Sequence, residues 1–351
     1  MIESVLTLVP LLVLGVILLS GITVSDGPNE IFGFNDCKIM RGFWCIVIIM
    51  VHLPAEHGNP IQDAIGSFAY IGVSFFFMTS GYGLTVSREK VPQIEFIRTF
   101  WNKRIFKIIL TCLVSNVIIY LIWNHYLKGV LIPSFLVSVN PWVLWLLACY
   151  FFFWISNVIS GNSRIWKSIC IVAVLMFSFV IKYLILHGNI TDTEWTVEVY
   201  GFIWGILLAS LKSKFTTFFY DKWRIKLSIL LITSITLGLT YINYKTMVFY
   251  GDYLLKIALG LAITVLLLAA NIRVSLGSRL GKFVGAISFE VYLMHMYMFS
   301  VIEAVAPSLS SGVYVAVSIF VSVCMAYIDH LIVSFILNGI DKMRFGGKNE
   351  T

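Results

Sequence analysis

Eleven long apolar stretches leave this chain few ways to fold. They fall at about 4–24, 41–55, 64–86, 105–124, 142–158, 165–186, 197–211, 226–243, 254–270, 284–302 and 312–337, with short polar links between them. A water-soluble domain must cover its outside with polar groups. With 59% hydrophobic and 12% charged residues over 351 positions, this chain has too few of them. Runs of this length match the hydrocarbon core of a bilayer when helical, and a helix satisfies its own backbone there. The expected fold is all-α: a polytopic transmembrane bundle of about 10–11 helices. The runs at 41–55 and 197–211 are short for a full span, so these helices are expected to be tilted, broken or extended by polar neighbours.

Lysine and arginine set the expected direction. With the N-terminus outside and the C-terminus in the cytoplasm, 21 of the 25 basic residues fall inside, and only Lys128, Lys182, Lys245 and Lys256 fall outside. The outer links carry acids instead: Glu56, Asp63, Asp192, Glu194, Glu198, Asp252 and Glu303. The net charge of +7 therefore reads as membrane charge asymmetry, and nucleic acid is not an expected partner. The run after Val5 follows no basic leader and reads as a retained helix. The six cysteines are scattered without CxxC or CxxH spacing, so neither a disulfide framework nor a metal site is expected.

Polar groups inside apolar runs mark candidate sites. Arg41 opens one run and His52 closes it, about 16 Å higher on a helix. Taken alone, the pair reads equally as a charge anchor with an interfacial histidine or as a base positioned near mid-membrane. The tenth run, GAISFEVYLMHMYMF, carries Ser288, Glu290, Tyr292 and His295, and places a second histidine at matching depth. The densest basic run, RTFWNKRIFK, contains Arg98, Arg104 and Lys107, the last two expected to share a helix face. They suit either the positive-inside rule or phosphate binding. In YIGVSFFFMTSGYGL, Gly72, Gly81 and Gly83 admit close approach of a helix or a ligand. Asp329 and His330 sit in the last run, each needing a partner that spacing does not name.

These stretches, in this order, resemble the acyltransferase-3 family of bacterial integral-membrane O-acyltransferases. The likeness is carried by Arg41, ten residues and His52; by FFFMTSGYGL with Ser80, Gly81 and Tyr82; by KRIFKIIL with Arg104 and Lys107; by PWVLWLL with Trp142; and by ISFEVYLMH with Ser288, Tyr292 and His295. The chain departs from the family pattern in four places. An extra helix precedes Arg41, Lys107 stands for an arginine, and Leu110 stands where proline is common. Ala148 and Cys149 replace a glutamate found in some subfamilies. No fused extracytoplasmic esterase-like domain is expected.

The resemblance implies one integral-membrane domain: an extra N-terminal helix over 1–31, a family-like core over 32–337 and a cytoplasmic tail over 338–351. It implies a multi-pass protein of the bacterial cell membrane that moves an acyl group, usually acetyl, from cytoplasmic acyl-CoA to a hydroxyl of an extracytoplasmic carbohydrate or lipid-linked sugar. In that reading His52 is the general base, with Arg41 and His295 beside it. Arg98, Arg104, Lys107, Ser80 and Tyr82 hold the donor, and Glu56, Ser288, Tyr292 and Trp142 support the substrates. The rival is a transporter or flippase for a lipid-linked or small anionic solute. Glu290, Asp329, His295 and His330 would give it a proton relay, but no inverted repeat is visible.

Overall fold

The structure, a computed structural model, describes residues 8–57, 59–127, 131–161, 163–189 and 195–346. Lys128, Asp192, Glu194, the first residues of the N-terminal run and residues 347–351 of the tail lie outside the described residues.

Each of the eleven apolar runs contains a helix among the described residues, although the first also holds a short strand. The chain opens with α1 (Val9–Leu19), strand β1 (Thr23–Val24), α2 (Phe34–Val51), a short α3 (Pro60–Gly66) and α4 (Ala69–Lys90). Pro92 separates α4 from α5 (Gln93–Phe100), since the residue before a proline avoids the helical region. A π-helical turn, Trp101–Ile105, joins α5 to α6 (Phe106–Tyr126). Next come α7 (Pro141–Ile159), α8 (Trp166–Leu186), α9 (Tyr200–Tyr220), α10 (Trp223–Tyr244), and a second π-turn at Tyr250–Leu255 leading into α11 (Lys256–Asn271). Strand β2 (Val274–Ser275), α12 (Arg279–Ala286), α13 (Ser288–Val305) and α14 (Ser311–Gly346) complete the chain. Among the described residues, seven helical segments are long and apolar enough to cross a membrane, or eight if the bent pair α12–α13 is one span. The two short runs are lengthened by polar neighbours: α2 begins seven residues before Arg41, and α9 runs on through Lys212 and Lys214.

Tight helix contacts use residues without side chains. A Cβ on Gly81 would strike the Phe202 carbonyl, and one on Gly205 the Met78 carbonyl, so α4 and α9 approach backbone to backbone. Gly72 packs on Trp44, whereas Gly83 has open space beside it. Of the two uses the glycine-rich stretch allows, Gly72 and Gly81 serve packing and Gly83 faces a cavity.

Polar contacts tie the links together at the two ends of the bundle. At one end Lys167 pairs with Glu89 at 2.6 Å, Arg104 donates to Ser87 at 2.6 Å, and Lys212 pairs with Glu30 at 2.9 Å. At the other, Lys182 pairs with Asp252 at 2.7 Å and Ser311 donates to the Glu56 carbonyl at 3.3 Å. The segment between α1 and α2 straps the first end. β1 pairs antiparallel with β2, and the Asn29 amide donates to the Ile272 carbonyl at 2.7 Å. Ile31 and Phe32 are buried there.

Candidate functional site

Stripes of residues three or four apart on four helices converge on one cavity of ≈ 730 Å³. α4 contributes Phe76, Thr79, Ser80, Gly83 and Ser87; α7 contributes Trp142, Leu146 and Tyr150. α2 presents Phe34, Lys38 and Arg41, and α13 presents Ser288, Phe289 and Tyr292. Arg104, Tyr82, Lys90, Glu30 and Phe32 complete the wall at the strapped end. The cavity is thus basic toward that end and aromatic toward its interior.

Arg41 is two turns inside α2, where its Nη2 donates to the Ser288 hydroxyl at 2.8 Å. That hydroxyl donates in turn to the Gly285 carbonyl at 3.0 Å, at the 76° bend between α12 and α13. The guanidinium also lies 5.7 Å from the Phe76 ring. Ser80 is bonded to the buried Tyr150 hydroxyl, which has Arg41 and Arg104 nearby. Tyr82 packs on Phe32 and accepts from Lys212 at 3.1 Å. Lys212 and Glu30 hold each other across 182 positions, and the Lys212 ammonium keeps the Glu30 carboxyl below its usual range.

The basic run differs from expectation. Arg104 lines the cavity, but Arg98 and Lys107 are exposed and do not. The three-residue rule assumes an α-helix, and Trp101–Ile105 is π-helical, so the wider turn rotates Lys107 off the Arg104 face. Glu56 also lies apart, exposed in a 3₁₀ turn at the opposite end.

The histidines meet. α2 ends at Val51 with His52 as its cap, level with the middle of α13, where His295 is 2% exposed. His295 Nδ1 lies 3.0 Å from the Val291 carbonyl and 2.9 Å from that of Tyr292. Carbonyl oxygens only accept, so these contacts assign the proton of the neutral ring to Nδ1 and a lone pair to Nε2. That Nε2 is 3.2 Å from His52 Nδ1, which is itself 2.8 Å from the Ile48 carbonyl. By the same reasoning His52 carries its proton on Nδ1, shared between the carbonyl and His295. His52 Nε2 is thereby left with the lone pair of the neutral ring. Neither histidine lines the cavity. Between them stand Tyr292, 5.9 Å from the His295 ring, and Trp142, 4.6 Å from the Tyr292 ring.

Two residues that spacing left without partners find them here. His330 Nδ1 lies 2.8 Å from a Glu290 carboxylate oxygen, and Asp329, fully buried, accepts from the Ser115 hydroxyl. Sequence reasoning missed Tyr150, although it shares a face with Trp142 at a spacing of eight. Nothing local connects Glu30 and Lys212.

Fold and site together describe a helical membrane bundle with a basic cavity backed by a histidine pair. The family model described as "acyltransferase domain" matches residues 35–329, most of the chain, and the protein belongs to that acyltransferase-3 family. No curated protein and no solved structure matches the chain significantly. The protein is accordingly a multi-pass membrane acyltransferase.

Proposed function

We propose that the protein moves an acyl group, acetyl above all, from cytoplasmic acyl-CoA to a hydroxyl of an extracytoplasmic glycan or lipid-linked sugar in a bacterial cell membrane. The N-terminus is then outside and the C-terminus inside, with the strapped, cation-rich end facing the cytoplasm. The extra N-terminal helix, the core over 32–337 and the tail act as one domain.

The observation that carries this reading is the His52–His295 contact, which leaves the lone pair on His52 Nε2 just beyond the inner wall of a cation-lined cavity. His52 Nε2 takes the proton of the acceptor hydroxyl as that oxygen bonds to the thioester carbonyl carbon. The carbon–sulfur bond breaks, CoA leaves as the thiolate, and the imidazolium proton neutralises it. The Nδ1 proton on His52 stays with His295 and Ile48 throughout, so the base presents one nitrogen in one orientation. Arg104 and Arg41, with Lys38 and Lys90 on the same wall, meet the phosphates of the donor.

The test is purified protein in sealed vesicles, with labelled acetyl-CoA added on one face and a glycan acceptor on the other. Ester formation across the membrane, dependent on donor at the strapped end, is expected. Transfer only when donor and acceptor share a face overturns the sidedness, and solute movement without CoA release favours the transporter.

A further inference from the structure

The inner end of the cavity holds a hydrogen-bond donor with no acceptor. Trp142 is 3% exposed, and its indole Nε1 is buried without a partner among the described residues. Buried N–H groups are nearly always paired, so each exception calls for a reason. Trp44 and Trp154 share the feature but lie away from the cavity. Arg41 Nε is the other unpartnered buried side-chain nitrogen on the cavity lining, and Arg41 is already anchored through Nη2.

The indole cannot readily turn to find a protein acceptor. It is wedged between the rings of Tyr292 at 4.6 Å, Phe77 at 5.6 Å and Phe289 at 6.0 Å. Its backbone is fixed at the head of α7, where the Asn140 side chain accepts from the Trp142 amide at 3.0 Å. Position adds a second argument: a single ring, Tyr292, separates Trp142 from His295. An acyl group presented to the histidines from the cavity must therefore pass this indole.

We propose that the Trp142 N–H donates to the carbonyl oxygen of the donor thioester, fixing the acyl group at the cavity's inner end and stabilising the negative charge that oxygen gains during attack. This rests on the acyl-CoA reading above. A thioester carbonyl oxygen only accepts and is neutral in the ground state, so a neutral buried donor suits it better than a cation. The nitrogen is covered by its neighbours, so the acyl group reaches it by displacing part of the aromatic wall. Charge develops on the oxygen only as the acceptor attacks, so the bond strengthens toward the transition state.

Two non-transferable CoA thioethers of equal size test the assignment: S-acetonyl-CoA, which keeps a carbonyl, and S-isobutyl-CoA, which has none. Wild-type protein is expected to bind the ketone about 5-fold more tightly, the value of one neutral hydrogen bond. In Trp142→Phe that preference should fall to about one while CoA itself binds as before, and acetyl transfer should slow about 10²-fold. If Trp142→Phe does not fold, the benzothiophene analogue of tryptophan at position 142 replaces only the N–H with sulfur and serves instead. No ketone preference in the wild type, or a preference that survives loss of the N–H, overturns the role of Trp142. Failure of both thioethers and of CoA to bind overturns the acyl-CoA reading as well.

Discussion

His295 Nε2 lies 3.2 Å from His52 Nδ1, joining two helices through rings whose Nδ1 atoms are both committed to backbone carbonyls. The contact has a direction. His295 accepts and His52 donates, so His295 governs which nitrogen of His52 is free. His52→Ala should leave the protein folded and slow acyl transfer about 10²–10⁴-fold, the usual effect of losing a positioned base. His295→Ala should be milder, and His295→Gln milder still, because the glutamine carbonyl can accept from His52 Nδ1. Single-turnover rates with saturating donor check the order. A glutamine variant as slow as His52→Ala would assign His295 a proton-transfer role of its own.

Arg104 and Lys107 separate the two explanations of the basic run. Arg104 lines the cavity and Lys107 does not. Arg104→Ala should weaken CoA binding by about 1.5–3 kcal/mol, roughly tenfold to a hundredfold. Lys107→Ala should change it by less than about threefold, the small effect typical of an exposed charge. Equal losses from the two variants, measured by equilibrium binding in detergent, would remove the π-turn as the cause of the difference.

That turn also marks how far the sequence could be read. Apolar runs locate helices because the bilayer demands a certain length, and each of the eleven contains one among the described residues, although only seven or eight segments are long and apolar enough to cross. The matching depth of His52 and His295 was legible for the same reason, since rise per residue is nearly constant. Which face Lys107 takes was not, because no local residue pattern announces Trp101–Ile105 as π-helical. Contacts across many positions were equally hidden. The strap between α1 and α2, with Glu30 on Lys212 and Phe32 against Tyr82, follows from how the helices assemble. So does the partner of His330, forty positions away on α13.

The α4–α9 seam should tolerate no side chain. A Cβ on Gly205 meets the Met78 carbonyl and the Tyr82 amide, both backbone atoms that cannot swing aside. Gly205→Val is therefore expected to destabilise by about 1–3 kcal/mol through overpacking. It should also disturb donor binding, because Ser80 and Tyr82 on the same stretch of α4 form the cavity wall. Thermal unfolding in detergent and CoA affinity should fall together. Gly83→Ala, with open space beside it, should leave the melting temperature unchanged.

The Glu290–His330 pair distinguishes an enzyme from a transporter. Glu290 is buried, its carboxylate is 2.8 Å from His330 Nδ1, and the pair joins α13 to α14 near the fully buried Asp329. Neither residue lines the cavity, so in an acyltransferase its work is expected to be structural. Removing one partner from a buried pair leaves an uncompensated polar group and costs up to about 3–5 kcal/mol. His330 is a third exposed, which puts this pair toward the low end of that range. His330→Leu should therefore lower the melting temperature, and the double variant Glu290→Gln, His330→Gln should recover most of it by keeping a neutral hydrogen bond. Acyl transfer by the double variant, measured below its melting temperature, should stay within about threefold of wild type. A proton relay cannot survive that exchange, because glutamine carries no titratable proton. A stable double variant that has lost its activity would therefore place Glu290 and His330 in the working path and return the transporter reading to the front.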